Sequence, residues 1–206
     1  MRVLIEAGEG YYEEKKSRFI ASICYAKTEE EAYAFIEKKK KQYWDARHNC
    51  SAFVVGERGE ITRCSDDGEP SQTAGKPMLE VLTHNEMKNV VVVVTRYFGG
   101  TLLGTGGLVK AYQSAVSDCL LNSKTGEEIK GMQATLKADY TLIGKIQFYF
   151  QENSITVTDT VYEEAVRITF RSAKEDFERI LNDLVNLTSG RIEIESKQES
   201  NFIQPD

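Results

Sequence analysis

The segment from Arg96 to Lys110 has the composition of an anion-binding site. A run of five valines precedes it, and a helical pattern begins at Leu108. Unpaired amides at a helix start, and the positive end of the helix dipole, attract anions, while glycine lets a ligand approach the backbone. We therefore predict a phosphate- or RNA-binding surface, with an aromatic side chain available to stack on a base. Its residues are Arg96, Tyr97, Phe98, Gly99, Gly100, Gly104, Gly106, Gly107 and Lys110.

Two nucleotide-binding motifs come close to this segment without matching it. Gly99 and Gly104 have the spacing of a phosphate-binding P-loop, but Thr105 stands where that motif requires lysine. Val109 stands where a dinucleotide-binding fingerprint requires its third glycine. The alternative, that the glycines serve only tight turns and close helix packing, stays open.

A second polar cluster consists of Arg47, His48, Asp66, Asp67 and Glu69. Its acids lie in a segment of turn-forming residues from Ser65 to Pro77. Paired carboxylates can hold Mg²⁺ or act as general bases, and His48 could act as acid or base. The competing interpretation is that the acids are solvated and that the histidine is a hydrogen-bonded part of the scaffold. If this cluster meets the glycine-rich turn, the two form one pocket.

The remaining chemistry of the chain is sparse. Four cysteines are scattered without metal-clip spacing, and the two histidines lie 36 residues apart. We therefore expect buried or half-buried free thiols, no metal site and no resident cofactor, with Mg²⁺ possible only for an enzyme acting on a phosphorylated ligand. The net charge of −6 argues against a duplex-wrapping protein.

The hydrophobic pattern predicts an α+β chain of two domains, residues 1–124 and 129–206, joined by a polar linker at 122–128. No apolar run approaches the roughly 18 residues of a membrane span, and the N-terminus does not resemble a signal peptide, so we expect a cytoplasmic protein. In the first domain we predict strands at 3–7, 17–25, 51–56, 61–64 and from Val90, and helices at 29–43, 77–84 and 108–121. In the second we predict strands at 133–139, 155–160, 165–170 and 191–195, helices at 142–151 and 174–187, and a frayed tail at 199–206. This β-α-β-β-α-β order is that of a ferredoxin-like sandwich.

The motifs quoted above resemble those of the Impact/YigZ family. The resemblance rests on Arg96-Tyr97-Phe98-Gly99-Gly100 with the glycines that follow, on Arg47-His48-Asn49-Cys50-Ser51-Ala52, and on Asp66-Asp67-Gly68-Glu69-Pro70. It implies that the first domain shares the α/β fold of a small-subunit ribosomal protein domain, of elongation factor G domain IV and of GHMP kinases. The C-terminal third resembles the ferredoxin-like domain of bacterial members, which is similar to elongation factor G domain V.

The resemblance also implies a translation-linked partner. Two adjacent domains like those of a ribosome-binding factor favour a ribosome or structured RNA, by fold analogy. Eukaryotic members restrain a translation-controlling kinase by competing for its activator through an extra N-terminal domain. Because this chain begins only about 14 residues before the shared domain, we carry over no such interaction. We favour a non-enzymatic binding protein over an enzyme.

Overall fold

The computed structural model describes residues 1–205, which divide into one compact unit over residues 1–127 with 204–205 and another over 128–203. The α+β class with two domains is confirmed. The strands are β1 Arg2–Glu6, β2 Glu9–Glu14, β3 Ser17–Tyr25, β4 His48–Val55, β5 Ile61–Ser65, β6 Val90–Tyr97, β7 Lys124–Ala138, β8 Thr156–Tyr162, β9 Val166–Ala173 and β10 Ile192–Pro205. The helices are α1 Glu29–Gln42, α2 Gly75–His84, α3 Gly104–Leu121, α4 Tyr140–Glu152 and α5 Lys174–Leu187. In residues 1–205, every helix is too short or too polar to cross a membrane.

In the first unit, the valine run forms the central strand of an antiparallel sheet with the order β2-β3-β6-β4-β5. Val90, Val92 and Val94 pack in the core beneath α2 and α3, whereas Val91 and Val93 pack in the core beneath α1. A strand that is covered on both faces has no polar side, which explains why the run does not alternate.

The second unit has the predicted order β7-α4-β8-β9-α5-β10. Its sheet is ordered β10-β7-β9-β8, which is the ferredoxin-like arrangement. Along β9 buried residues alternate with half-buried ones, so one face packs on α4 and α5 and the other, here called the open face, is partly exposed to solvent.

Four local predictions are wrong. Strand β2 was not predicted, because its Glu-Gly-Tyr-Tyr-Glu-Glu sequence lacks a hydrophobic face; α3 holds it, with Asp118 accepting a hydrogen bond from the amide of Tyr11 at 2.8 Å. Helix α3 begins at Gly104 instead of Leu108, because its first turn consists of Gly104, Thr105, Gly106 and Gly107, which show no apolar periodicity. The expected linker begins β7, whose residues 124–127 pair with β1. The tail is strand to Pro205, and Asp206 lies outside the described residues.

Candidate functional site

The two predicted clusters meet in one pocket of the first unit. In the β4–β6 register His48 lies opposite Arg96, which brings the acidic loop (residues 65–74) to the glycine loop (residues 98–107). The pocket encloses about 440 Å³. Its lining residues are Arg47, His48, Gly68, Glu69, Pro70, Arg96, Phe98, Leu102, Leu103, Gly104, Thr105 and Leu108.

Arg96 is held in place at the base of this pocket by a buried ion pair. Its Nη1 donates to Oε1 of Glu69 at 2.7 Å, and the side chains of the pair are only 7% and 3% exposed. The Tyr112 hydroxyl donates to the same oxygen at 2.8 Å. The guanidinium also lies 5.6 Å from the Phe98 ring centroid, and its buried Nε has no hydrogen-bond partner within the described residues. The Arg96 charge is therefore largely matched by Glu69, and its donors are not all satisfied by the protein.

The buried side chains of Cys50 and Tyr112 keep their protons at neutral pH. The Cys50 sulfur lies 3.0 Å from the carbonyl oxygen of Asp66 and 3.3 Å from the Tyr112 hydroxyl. Burial raises the pKa of the Cys50 thiol and the pKa of the Tyr112 hydroxyl. A protonated thiol is a poor nucleophile, so Cys50 packs as part of the scaffold.

The carboxylates of the acidic loop hold the backbone of that loop. Asp66 accepts from the amides of Gln72, Ala74 and Gly75 at 2.7, 3.0 and 2.8 Å, and so caps α2, whose own N-cap residue Ala74 makes no side-chain hydrogen bond. Asp67 accepts from the Asn49 amide at 2.7 Å and pairs with Lys40 at 3.1 Å.

These bonds leave the predicted Mg²⁺ alternative without support. Asp66 and Asp67 are engaged by backbone amides and Glu69 by Arg96 and Tyr112, so each carboxylate of the loop already has a structural partner. Across residues 1–205, no three His, Cys, Asp or Glu side chains are grouped as a metal site would require.

His48 presents one ring nitrogen to a ligand. Its Nδ1 lies 2.9 Å from the carbonyl oxygen of Asp67. A carbonyl oxygen only accepts, so this hydrogen bond assigns the proton to Nδ1 and leaves Nε2 available on the pocket side. The Asp67 contact is the scaffold role that the sequence suggested, and it also fixes the orientation of the ring.

The glycines of the loop differ in whether the backbone conformation or the surroundings require glycine at their position. Gly100 and Gly104 have φ values of +89° and +74°, which side chains disfavour. A Cβ at Gly99 would collide with the backbone of Lys16. Gly106 has neither constraint: its φ is not in the left-handed region, and a Cβ there would meet no atom within 4 Å.

The first turn of α3 carries no side chain that accepts from its amides. Its N-cap residue is Leu103, which makes no side-chain hydrogen bond, and the turn contains no acid. Gly104, Thr105 and Gly106 therefore present their amides at the positive end of the helix, and within the described residues no side chain accepts from them.

The structure separates the predicted site residues into three groups. Arg47, His48, Glu69, Arg96, Phe98 and Gly104 line the pocket, and Gly99, Gly100, Gly106 and Gly107 lie in or beside the glycine loop. Lys110 is exposed on the next turn of α3 without lining the pocket, and Asp66 and Asp67 serve the backbone. Tyr97 does not offer a free ring, because its hydroxyl donates to Asp45 at 2.9 Å and the Arg18 guanidinium lies 5.1 Å from its ring centroid.

Sequence reasoning missed two features of the pocket. The apolar wall formed by Leu102, Leu103 and Leu108 was not identified, although the position of Leu108 at the start of a helical stripe indicated burial. Tyr112 was also missed. It lies four residues after Leu108, on the same face of α3, and its spacing predicted core packing but not its hydrogen bond to Glu69.

Comparisons with known proteins agree with this architecture. Residues 15–120 match the Impact N-terminal domain, and residues 136–191 match a domain of unknown function, DUF1949. The chain is 42% identical to the IMPACT family member YvyE of Bacillus subtilis, over 92% of this chain and 87% of that protein. It is 38% identical to the IMPACT family member YigZ of Escherichia coli, over 78% and 80% of the two chains. A crystal structure of a hypothetical protein, 32% identical, superposes with a TM-score of 0.60 over 94% of this chain and 95% of the other. This chain therefore belongs to the IMPACT family.

Proposed function

We propose that this protein is a non-enzymatic, translation-linked regulator whose pocket binds phosphate groups of RNA, in the ribosome or in another structured RNA. The observation that carries the proposal is the start of α3. Glycine at position 106 makes this turn about 1 kcal/mol less stable than alanine would, yet neither its φ nor its surroundings require glycine. An anion that binds these amides from solvent would explain why the turn has neither a capping side chain nor a larger residue at position 106.

The other pocket residues suit the same ligand. Arg47 is exposed and makes no ion pair within the described residues, so its charge is available to a phosphate oxygen. The unsatisfied Arg96 guanidinium adds a donor, Nε2 of His48 can accept from a ribose hydroxyl, and Phe98 is 51% exposed, which suits stacking on a base. The translation link rests on the family, whose eukaryotic members are implied to act in translation control.

The same contacts argue for binding without catalysis. The three carboxylates that could hold Mg²⁺ or act as bases are engaged in structural hydrogen bonds. The thiol nearest the pocket is protonated, because burial raises its pKa. What remains is the backbone amides, two guanidinium groups, the acceptor Nε2 of His48 and one aromatic ring, a set that can recognise an anion and includes no serine, cysteine or carboxylate nucleophile.

A second candidate is a phosphorylated small molecule or nucleotide as the whole ligand. It is favoured by the pocket volume, since about 440 Å³ lies within the range of about 300–1,000 Å³ that is usual for small-ligand sites. Both candidates place a phosphate at the same helix start, so the experiment below includes a mononucleotide arm.

The test uses Gly106→Glu and its neutral isostere Gly106→Gln. Glutamate at this position removes the glycine penalty and suits the helix dipole, so both variants should be more stable than wild type, the glutamate by about 1 kcal/mol. The glutamate should nevertheless repel phosphate. We expect wild-type protein and Gly106→Gln to co-sediment with ribosomes at about 50 mM salt and much less at about 200 mM. Gly106→Glu should not pellet at either concentration.

The opposing outcomes are equally specific. Pelleting of Gly106→Glu at wild-type levels, or no pelleting of wild type at low salt, would overturn the RNA proposal. In the second case, thermal stabilisation of wild type but not of Gly106→Glu by millimolar mononucleotides would favour the small-ligand candidate instead.

A further inference from the structure

The turn that connects α1 to β4 presents an aromatic side chain to solvent beside the pocket. Trp44 is the single tryptophan of the chain and is 82% exposed. The amide of Ala46 donates to the carbonyl oxygen of Tyr43 at 3.0 Å, which closes the turn. Arg47, three residues after Trp44, lines the pocket, so the chain alone keeps the two within about 11 Å.

A hydrogen bond ties this turn to the strand that leads into the glycine loop. The Tyr97 hydroxyl at the end of β6 donates to Oδ1 of Asp45 at 2.9 Å. Phe98 follows directly and lines the pocket. Trp44 and Phe98 are therefore the sequence neighbours of the two residues, Asp45 and Tyr97, that this hydrogen bond joins.

Unpaired cations flank the same strand end. Lys15 and Lys16 form the β2–β3 turn, and the backbone of that turn contacts Gly99, whose amide donates to Oγ of Ser17 at 3.0 Å. Within residues 1–205, neither lysine makes an ion pair, and Arg18 faces the Tyr97 ring instead of a carboxylate. Glu13 and Glu14 precede the two lysines, and Glu13 lies opposite Arg18 in the β2–β3 register, so this strand end carries charges of both signs; Lys15 and Lys16 are the cations available to a ligand.

We propose that the RNA bound by the pocket is single-stranded and extends from Phe98 to a second stacking platform at Trp44, with Lys15, Lys16 and Arg18 contacting its backbone. The inference rests on the proposed function and specifies its ligand. Exposed aromatic rings add affinity only where bases are unstacked, and an A-form duplex keeps its bases stacked inside. Alternating aromatic and cationic side chains are the usual composition of a surface that binds single strands.

The single tryptophan makes the test direct. We would titrate the full chain with an unstructured, mixed-sequence RNA strand of about ten nucleotides and with a blunt duplex of the same length, following Trp44 fluorescence and anisotropy of the labelled RNA. We expect the strand to quench Trp44 and to bind more tightly than the duplex. Trp44→Leu should weaken strand binding about 5- to 100-fold, and Trp44→Phe should restore most of the affinity.

Matched controls come from the second unit. Phe148→Leu removes an aromatic ring that is 64% exposed on α4, and Lys145→Ala removes an exposed cation of the same helix. Both should bind RNA as wild type does, whereas Lys15→Ala with Lys16→Ala should weaken binding and reduce its salt dependence.

Each contrary result has its own consequence. One contrary result is strand binding that Gly106→Glu abolishes but that neither quenches Trp44 fluorescence nor is weakened by Trp44→Leu. That result would overturn this inference and support the phosphate site. Equal binding of strand and duplex would also overturn it. If wild type binds neither RNA, the inference fails, and the proposed function still stands or falls on ribosome co-sedimentation.

Discussion

The pocket of the first unit and the open face of the second unit's sheet differ in how one solvent-accessible arginine of each is paired. On the open face, Arg167 is bonded by both Glu163 and Glu195, and Lys137 pairs with Glu193 at 3.1 Å. The hydrogen bond to Glu195 is the main cause that raises the pKa of the Arg167 guanidinium. Around the pocket, Arg47 has no such partner within the described residues.

If the pocket binds RNA as proposed, fold alone does not locate the site. A ferredoxin-like sheet invites the analogy with RNA-binding domains, but a phosphate at Arg167 or Lys137 would have to displace a carboxylate of the same sheet. A phosphate at Arg47 or at the start of α3 displaces only water. Binding capacity therefore follows from the charges that the protein leaves unmatched.

The largest predicted effect concerns the one pocket cation that is matched. Arg96→Met should lower the free energy of unfolding by about 3–5 kcal/mol, because it leaves the buried Glu69 carboxylate unpaired. Arg167→Met, on the open face, should cost less than about 1 kcal/mol. Urea denaturation followed by the reactivity of the buried Cys50 and Cys119 thiols reports on the first unit, and far-UV circular dichroism reports on both.

A double variant checks the cause. Arg96→Met with Glu69→Leu should be more stable than Arg96→Met alone, since it removes the orphaned charge. A loss below about 1 kcal/mol for Arg96→Met would contradict the buried pair. Arg96→Ala should lower the stability by a similar amount, so a loss of binding in that variant would not identify a ligand contact.

The next effect separates the units by pH. Burial raises the pKa of the Cys119 thiol to about 12 and also raises that of Cys50, while residues 128–203 contain no cysteine. A thiol in the unfolded chain loses its proton near pH 8.5, so above that pH the unfolded state binds fewer protons than the folded state. Stability is therefore full below about pH 8.5 and falls as pH rises, by about 1.4 kcal/mol per pH unit for each buried thiol.

Denaturation at pH 7.5, 8.5 and 9, followed by far-UV circular dichroism, measures this slope below the usual pKa of tyrosine. Cys119→Ala should flatten the slope by roughly one proton, although it also removes packing. A wild-type slope of zero over this range would show that these thiols ionise in the folded state.

The smallest predicted effect compares two arginines directly. Arg47→Ala should weaken ribosome binding several-fold and reduce the slope of log affinity against log salt by about one, with stability changed by less than about 0.5 kcal/mol. Arg167→Ala should leave both affinity and slope unchanged. If Arg167→Ala were the more damaging of the two, the contrast between the units would be wrong.

Much of the fold could be predicted because its signals are local. The β3 and α5 bounds follow from the alternation of Ser17–Tyr25 and from the apolar stripe of Lys174–Leu187. Strand β2 could not be predicted in this way, because its Gly10 packs against the backbone of α3, a contact over more than a hundred residues. The start of β7 likewise depends on pairing with β1.

The candidate site divides along the same line. The residue types of the glycine loop and their relation to a helix start were visible in the sequence. The convergence of His48 with Arg96 depends on strand register, and the role of Asp66 depends on where the acidic loop folds back onto α2. In a sequence, a carboxylate that caps a helix cannot be distinguished from one that is free to bind a cation.

The uncapped first turn of α3 has a consequence for dynamics. Without acceptors to hold them, the amides of residues 104–106 should exchange with solvent much faster than those of the buried centre of the helix. At the far end of α3, Asp118 and Asn122 hydrogen-bond to the backbone of β2. We therefore expect a ligand that stabilises the first turn to reduce the mobility of the whole helix, whose last turn holds the edge strand β2. Slower exchange in β2 would then report that the pocket, on the same helix, is filled.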